Sequence, residues 1–191
     1  MKIFLKLKHW QLFLLTFGIL FFLFAYSGIA FRAEEEDRFI SDAIVRFITI
    51  IPFLAYFLWL WSVGTLLNKH IRKELKTKSS YFYISVVISY FIFFFLLVFN
   101  LLEWTEMKED ADNLTLKYIL MFIPLFIGIF AWLYALNFVS KTLVRAEREA
   151  HVKSADYFGE YVMVLLFPIG IWIIQPRLNR IIEEIENKSV K

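Results

Sequence analysis

The sequence predicts an all-α integral membrane protein built on a four-helix transmembrane bundle. Three observations carry this prediction: 60% of the residues are hydrophobic, four apolar runs each reach the length of a span, and none of these runs contains Lys, Arg, Asp or Glu. A helix of about 20 residues crosses roughly 30 Å of hydrocarbon. Soluble domains contain only about 45–50% apolar residues, so this composition favours a lipid environment.

The predicted spans are residues 10–31, 47–67, 81–102 and 118–140. Lysines precede the first run, as they do in a signal peptide, but a signal core has only about 7–15 apolar residues and this run is longer. We therefore expect a retained helix. The connections are too short for a soluble domain, which takes at least about 50 residues, so residues 1–191 are expected to form a single membrane domain.

Charge in the loops predicts the orientation of the chain. The segments before the first span, between the second and third, and at residues 141–156 after the fourth together hold 12 Lys and Arg; the two other loops hold 5 and are rich in acid. Because cytoplasmic loops are enriched in Lys and Arg, we expect a multi-pass protein of the cell membrane with a cytoplasmic N terminus. The net charge of +3 then reflects segments beside lipid headgroups, with no nucleic acid as a partner.

A fifth apolar run, at about residues 157–175, is interrupted by Pro168 and Gly170. Two interpretations remain open: a short re-entrant element that enters the bilayer and returns, or a fifth, kinked span. The re-entrant interpretation keeps the C terminus in the cytoplasm and gives 16 Lys and Arg inside against 5 outside, which the charge bias favours. It also brings Glu160 and Arg177 together at one interface.

The tail, residues 176–191, is predicted to form an amphipathic helix. Its apolar stripe has helical spacing and consists of Leu178, Ile181, Ile182 and Ile185. The stripe suits three roles: lying on the inner leaflet, docking on its own bundle, or pairing with another chain. The lipid bilayer is the first expected partner, and a homo-oligomer or a larger membrane complex is the next.

The densest group of unusual residues surrounds the fifth run. It consists of Glu160, Pro168, Gly170, Gln175 and Arg177. A carboxylate at the lip of a broken intramembrane segment, beside a guanidinium, is suited to binding a lipid headgroup or gating a pathway. The same two groups are equally suited to closing a hairpin as an ion pair.

Two prolines inside spans are candidate helix kinks. Pro52 and Pro124 each remove a backbone hydrogen bond, and paired kinks would open a cavity between helices. A shift of 72 residues lays the first two spans over the third and fourth and superposes these two prolines. This weak internal similarity indicates two tandem hairpins.

No cofactor or metal site is predicted. The chain has no Cys, its three histidines lack ligand spacing, and it contains no catalytic signature of the common membrane enzymes. The leading hypothesis is therefore a non-enzymatic, membrane-embedded interaction or accessory subunit. A small channel or carrier between the two hairpins is the second hypothesis, and a lipid-acting enzyme that uses Glu160 as its acid or base is the third.

Overall fold

The computed structural model describes residues 4, 6–30, 35–103 and 114–190, with side chains for residues 4, 6–23, 25, 48–96 and 122–187. This part of the chain is helical apart from short connections and contains no strand. The predicted all-α class is confirmed. The acidic clusters of the two predicted outer loops lie outside the described side chains.

Six helices follow one another along the described chain. Helix α1 comprises three consecutive segments, which are His9–Phe13, a π-helical turn Leu14–Gly18, and Ile19–Ala30. The others are α2, Glu35–His70; α3, Ser80–Glu103; α4, Leu114–Arg148; α5, Ser154–Leu165; and α6, Phe167–Val190. A 3₁₀ turn, Lys73–Leu75, lies between α2 and α3. The first four helices overlap the four predicted spans, and α2 and α4 continue beyond them into the predicted loops.

Two helical stretches are long and apolar enough to cross a membrane, by length and composition. They are Ile48–His70 in α2 and Phe122–Arg148 in α4. The stretches His9–Leu23 and Ser80–Leu96 are also apolar but shorter within the described residues. Two helices therefore support the membrane class, and a bundle of four spans remains a prediction.

The connection between α4 and α5 is shorter than predicted. Helix α4 extends beyond the predicted span 118–140 and ends at Arg148, where the chain leaves the helix. Glu149 has φ of 48°, a left-handed conformation that commonly ends helices. The backbone N–H of Lys153 donates to the carboxylate of Asp156 at 2.7 Å, which helps to cap the start of α5.

The fifth apolar run is divided between two helices, and its second part is continuous with the tail. Helix α5 ends at Leu165, the chain turns at Leu166, and α6 then continues without interruption through Pro176. The predicted boundary between residues 175 and 176 is therefore wrong. Pro168 explains where the new helix begins, since a proline is tolerated in the first helical turn, where its missing N–H has no helical partner.

Helices α5 and α6 form an antiparallel hairpin. A Cβ on Gly170 would lie 1.8 Å from the carbonyl oxygen of Met163, so the two arms touch backbone to backbone just past the turn. Glu160 and Arg177 lie 2.9 Å apart, whereas 17 residues of continuous helix would separate them by about 25 Å. The chain therefore reverses direction at Leu166.

Helix α4 lies at the centre and contacts α2, α3, α5 and α6, while the first turn of α1 packs on α6. The largest fully buried side chains are Leu12 on α1, Trp59, Leu60, Val63 and Leu67 on α2, Phe82 on α3, Leu136 and Leu143 on α4, and Ile171, Ile174, Gln175 and Leu178 on α6. The core thus lies where the hairpin meets α1, α2 and α4.

Large apolar side chains cover the outer surface of α3 and α4. This apolar belt consists of Tyr81, Ile84, Val87, Ile88, Phe91 and Phe95 on α3, and Phe122, Ile123, Phe126, Ile127, Phe130 and Tyr134 on α4. The members follow the i, i+3, i+4, i+7 spacing of one helix face, as Ile84, Val87, Ile88 and Phe91 do on α3, so each set forms one stripe on its helix. Soluble monomers rarely expose a contiguous apolar surface of this kind.

Candidate functional site

The predicted pair of Glu160 and Arg177 is part of a three-residue cluster that joins three helices. The Arg177 guanidinium donates to both carboxylate oxygens of Glu147, from Nε at 2.7 Å and from Nη2 at 2.5 Å. Nη2 also donates to Glu160 at 2.9 Å. The cluster therefore links α4, α5 and α6. Glu147 was not predicted, because it lies 30 residues away in a segment of mixed charge.

This cluster lies at the margin of the core. The side chains of Arg177, Glu147 and Glu160 are 23%, 19% and 17% exposed. The hydrogen bond to Glu147 is the main reason that the pKa of Arg177 is raised, against the opposing effect of burial. The cation is therefore firmly held, and Glu160 accepts a hydrogen bond from it. A carboxylate engaged in this way is poorly placed to act as an acid or base.

Gln175 is the centre of a second polar network, and its side chain is fully buried. Its Oε1 accepts a hydrogen bond from the Trp59 indole at 2.9 Å. Its Nε2 lies 3.0 Å from the Leu7 carbonyl, 3.3 Å from the Phe4 carbonyl and 3.1 Å from Oδ1 of Asn179. One amide thus connects α6 to α2 and to the N-terminal segment. The sequence singled out Gln175 without predicting these partners.

The two predicted kinks lie at Pro52 in α2 and at Pro124 in α4. Both prolines lie inside continuous helices, and Pro52 is buried. One turn beyond it, the hydroxyl of Tyr56 accepts a hydrogen bond from the Trp132 indole at 2.9 Å. The Tyr56 ring also packs edge-on against Phe167, with ring centroids 4.8 Å apart. Aromatic side chains therefore fill the interior at this level.

The apolar stripe of the tail faces its own bundle. Leu178, Ile181 and Ile182 are buried, and Ile185 packs against the same core. Of the three predicted roles, the structure shows docking on the bundle of the same chain. The stripe is therefore not a free face for a partner or for the membrane. The physical reason is that α6 is the returning arm of the hairpin, which lays this stripe against the end of α4.

A cavity of about 310 Å³ lies between the tail and the ends of α2 and α4. Its lining residues are His70, Ile71, Arg72, Leu75, Arg145, Ala146, Glu149, Ile181, Glu184 and Ile185. Arg72 and Glu149 form an exposed ion pair with an N–O distance of 2.5 Å. The sequence did not predict this cavity, because its walls come from separate parts of the chain.

Arg145 is the most deeply buried charged side chain in the lining, at 9% exposed. Its Nη1 donates to the Leu75 carbonyl at 2.8 Å and to the Thr77 hydroxyl at 2.7 Å. Asn68 holds the same loop through two hydrogen bonds to the Thr77 backbone. Arg145 therefore fixes the α2–α3 connection against α4.

In the described part of the chain, no three His, Asp or Glu side chains are grouped as metal ligands would be. His9 packs on the Trp172 ring with centroids 4.7 Å apart, and Nδ1 of His70 lies 2.8 Å from the Leu66 carbonyl. These two histidines thus have structural contacts on different helices. Comparison of the chain with protein-family models, with curated proteins and with solved structures found no match in any of the three.

Proposed function

We propose that this chain is a multi-pass membrane protein with four spans and a re-entrant hairpin, and that it acts by association. The observation that carries the proposal is the segregation of charge. Among the described side chains, every Lys, Arg, Asp and Glu lies within residues 6–8, 69–78, 141–160 or 177–186. Ion pairs and hydrogen bonds join these segments at one end of the bundle. Charged residues are expected at such an end, where a membrane bundle meets water.

Contacts between the four segments support this single charged end. Lys6 pairs with Glu186 at 2.8 Å, Arg72 with Glu149 at 2.5 Å, and Arg177 with Glu147 at 2.5 Å. The remaining surface of the described helices carries the apolar belt. When the apolar belt faces lipid, the charged end can face water, so each surface contacts a solvent of matching polarity.

The depth of the hairpin supports a re-entrant element. Arg177 lies at the charged end, and Phe167 at the turn lies ten residues away, or about 15 Å along a helix. This distance is about half of the roughly 30 Å hydrocarbon core. At the turn, Leu166 and Ile169 are 52% and 70% exposed, as side chains that face lipid would be. The hairpin then enters from the charged side and turns near the bilayer centre.

The excess of Lys and Arg supports a cytoplasmic location for the charged end, and with it for both termini. Association with lipid, with a second copy or with a larger membrane complex is favoured over the alternatives by the packing. The aromatic side chains around Tyr56 and Trp132 occupy the space that a channel or carrier would need. The Glu160 carboxylate, which an enzyme would need, is engaged by Arg177.

Two experiments test this proposal. After alkaline carbonate treatment of membranes, we expect the protein to stay in the pellet and to require detergent for extraction. Release into the aqueous fraction would contradict the membrane assignment. In reconstituted vesicles we expect no solute flux and no lipid product detectable by mass spectrometry. Flux that disappears in Pro52→Ala, or a lipid product that disappears in Glu160→Gln, would contradict action by association.

A further inference from the structure

We propose that the cavity beside Arg145 is a binding site for an oxyanion of the phosphate type. Among the described side chains, no acidic group compensates the charge of Arg145. Its side chain is nine-tenths buried and forms no ion pair with any of the described side chains. Its two hydrogen-bond acceptors, the Leu75 carbonyl and the Thr77 hydroxyl, are both neutral. Burying a cation without a counter-charge is costly, and a bound anion would supply that charge.

The Arg145 guanidinium also has donors without partners within the described part of the chain: both of its hydrogen bonds start from Nη1, which leaves Nη2 to meet an anion in the cavity. The Nε atom of Arg145 is buried and has no hydrogen-bond partner among the described residues. Buried polar atoms without a partner are rare in folded proteins. Arginine presents its N–H groups in a planar fork that matches a phosphate or carboxylate. Arg145 is therefore well suited to an oxyanion.

The remaining lining determines what kind of anion fits. Ile71, Leu75, Ala146, Ile181 and Ile185 form an apolar wall. A volume of about 310 Å³ is at the lower end of the range for small-molecule sites. The site therefore suits a single phosphate group that is attached to a short apolar or glycerol-like part.

The acidic groups in the lining restrict the charge of the ligand. Glu149 pairs with Arg72, and Glu184 lies across the cavity on α6. These two carboxylates repel anions of high charge, so a monoanionic phosphodiester is favoured over a polyphosphate. Such a group occurs both in phospholipid headgroups and in soluble phosphate esters. The lipid source rests on the proposed membrane location, and the soluble source does not.

The test has two arms, both performed on the full-length protein. In the first arm, dimethyl phosphate or glycerophosphoglycerol, both monoanionic phosphodiesters, is added to protein in a maltoside detergent, with chloride at equal ionic strength as the control, and thermal unfolding is followed. In the second arm, the protein is placed in nanodiscs of phosphatidylcholine with or without phosphatidylglycerol, and bound lipid is read by native mass spectrometry. Stabilisation in the first arm identifies a soluble ligand; retained phosphatidylglycerol in the second identifies a lipid.

The variants assign the binding to the cavity. Arg145→Gln removes the charge, and we expect binding to weaken by about 10- to 100-fold, as for loss of a hydrogen bond to a charged group. Arg148→Gln is the matched control, because Arg148 lies one turn further on α4 and is not among the lining residues. Ala146→Leu fills the cavity while keeping Arg145, and it decides the result if Arg145→Gln does not fold.

Binding in either arm that is lost in Ala146→Leu, weakened in Arg145→Gln wherever that variant folds, and kept in Arg148→Gln supports the proposal; unchanged binding in a folded Arg145→Gln would overturn it. Absence of binding in both arms would overturn it, and so would binding that is unchanged in Ala146→Leu. The proposed membrane location stands or falls separately, on the carbonate extraction.

Discussion

Gln175 shows how one polar side chain connects three parts of the chain. Its amide accepts a hydrogen bond from the Trp59 indole and donates towards the backbone carbonyls of the N-terminal segment. A buried amide is favourable only when its donors and acceptors are satisfied. The sequence marked Gln175 because a polar residue in an apolar run is unusual, but its partners on α2 and in the N-terminal segment lie more than 100 positions away.

Gln175→Leu should destabilise the protein by about 2–3 kcal/mol, because it leaves the buried Trp59 N–H and the Leu7 carbonyl without their partner. Thermal unfolding in detergent measures this loss. Asn187→Leu, an exposed position on the same helix, is the control and should change stability by less than about 0.5 kcal/mol. Equal effects of the two substitutions would remove Gln175 from its structural role.

Gly170 is the residue that permits the two arms of the hairpin to touch. We expect Gly170→Ala to destabilise the protein by at least about 3 kcal/mol, the upper end of the usual cost of overpacking. The reason is that the alanine methyl group would collide with the Met163 backbone carbonyl. Gly159→Ala is the matched control on α5, where an added Cβ meets nothing within 4 Å. That control should be neutral or stabilising by up to about 1 kcal/mol. Thermal unfolding of the pair is the measurement, and a neutral Gly170→Ala would contradict the close approach.

At the scale of elements, the sequence predicted the turn of the hairpin but not all of the contacts that hold it in place. Pro168, Gly170 and the Glu160–Arg177 pair all pointed to a reversal, because each acts within a few residues or at a symmetric distance from the turn. Glu147 could not be found in this way, since its partner is brought near only by the packing of α4 on α6. The stripe of the tail was ambiguous for the same reason: amphipathic spacing shows that one face is covered, but not by what.

Arg177→Gln should separate the ends of the hairpin arms. It removes the cation between Glu147 and Glu160, which leaves two carboxylates facing each other. We expect a loss of about 2–3 kcal/mol, below the roughly 3–5 kcal/mol of fully buried pairs, because these side chains are about one-fifth exposed. Thermal unfolding measures the loss, and Arg180→Gln, an exposed position on α6, is the control. The triple substitution with Glu147→Gln and Glu160→Gln should recover part of the loss; no recovery would argue against repulsion as the cause.

The pH dependence of this cluster has a definite sign. The pKa of Arg177 is raised in the folded state, chiefly by its hydrogen bond to Glu147. Its stabilisation is therefore fully present below the ordinary arginine pKa and is lost only as the pH rises through the still higher folded value. From neutral pH up to about pH 11, the contribution should thus be constant.

Arg177→Lys moves this loss into an accessible range, because a lysine in the unfolded chain titrates near pH 10.4, about two units below arginine. We expect the stability of Arg177→Lys relative to the unsubstituted protein to fall at and above about pH 10. Thermal unfolding of both proteins between about pH 7 and pH 11 measures the difference. A difference that stays constant over this interval would show that the cation at residue 177 does not couple to folding.

At the scale of the whole molecule, the distribution of charge along the chain was the most informative property. It predicted helices α1 to α4, and it predicted that residues 69–78, 141–156 and 177–186 share one end, because alternation between apolar runs and charged loops leaves few arrangements in a bilayer. The cavity beside Arg145 was beyond reach of the sequence, since α2, α4, α6 and the loop after α2 must all be placed before it exists. The same holds for the aromatic packing around Tyr56.

A re-entrant hairpin requires that the start of α5 and the end of α6 lie on the same side of the membrane. The chain contains no Cys, so single cysteines can be introduced without background. Lys153→Cys lies before α5, Leu166→Cys lies at the turn, and Asn187→Cys lies near the end of α6. Labelling with a membrane-impermeant maleimide, in cells and in inverted membrane vesicles, reports which side of the membrane each position faces.

We expect Lys153→Cys and Asn187→Cys to be labelled from the cytoplasmic side only, and Leu166→Cys to be protected from both sides until detergent is added. Labelling of Asn187→Cys from the side opposite to Lys153→Cys would show a fifth span and contradict the re-entrant hairpin.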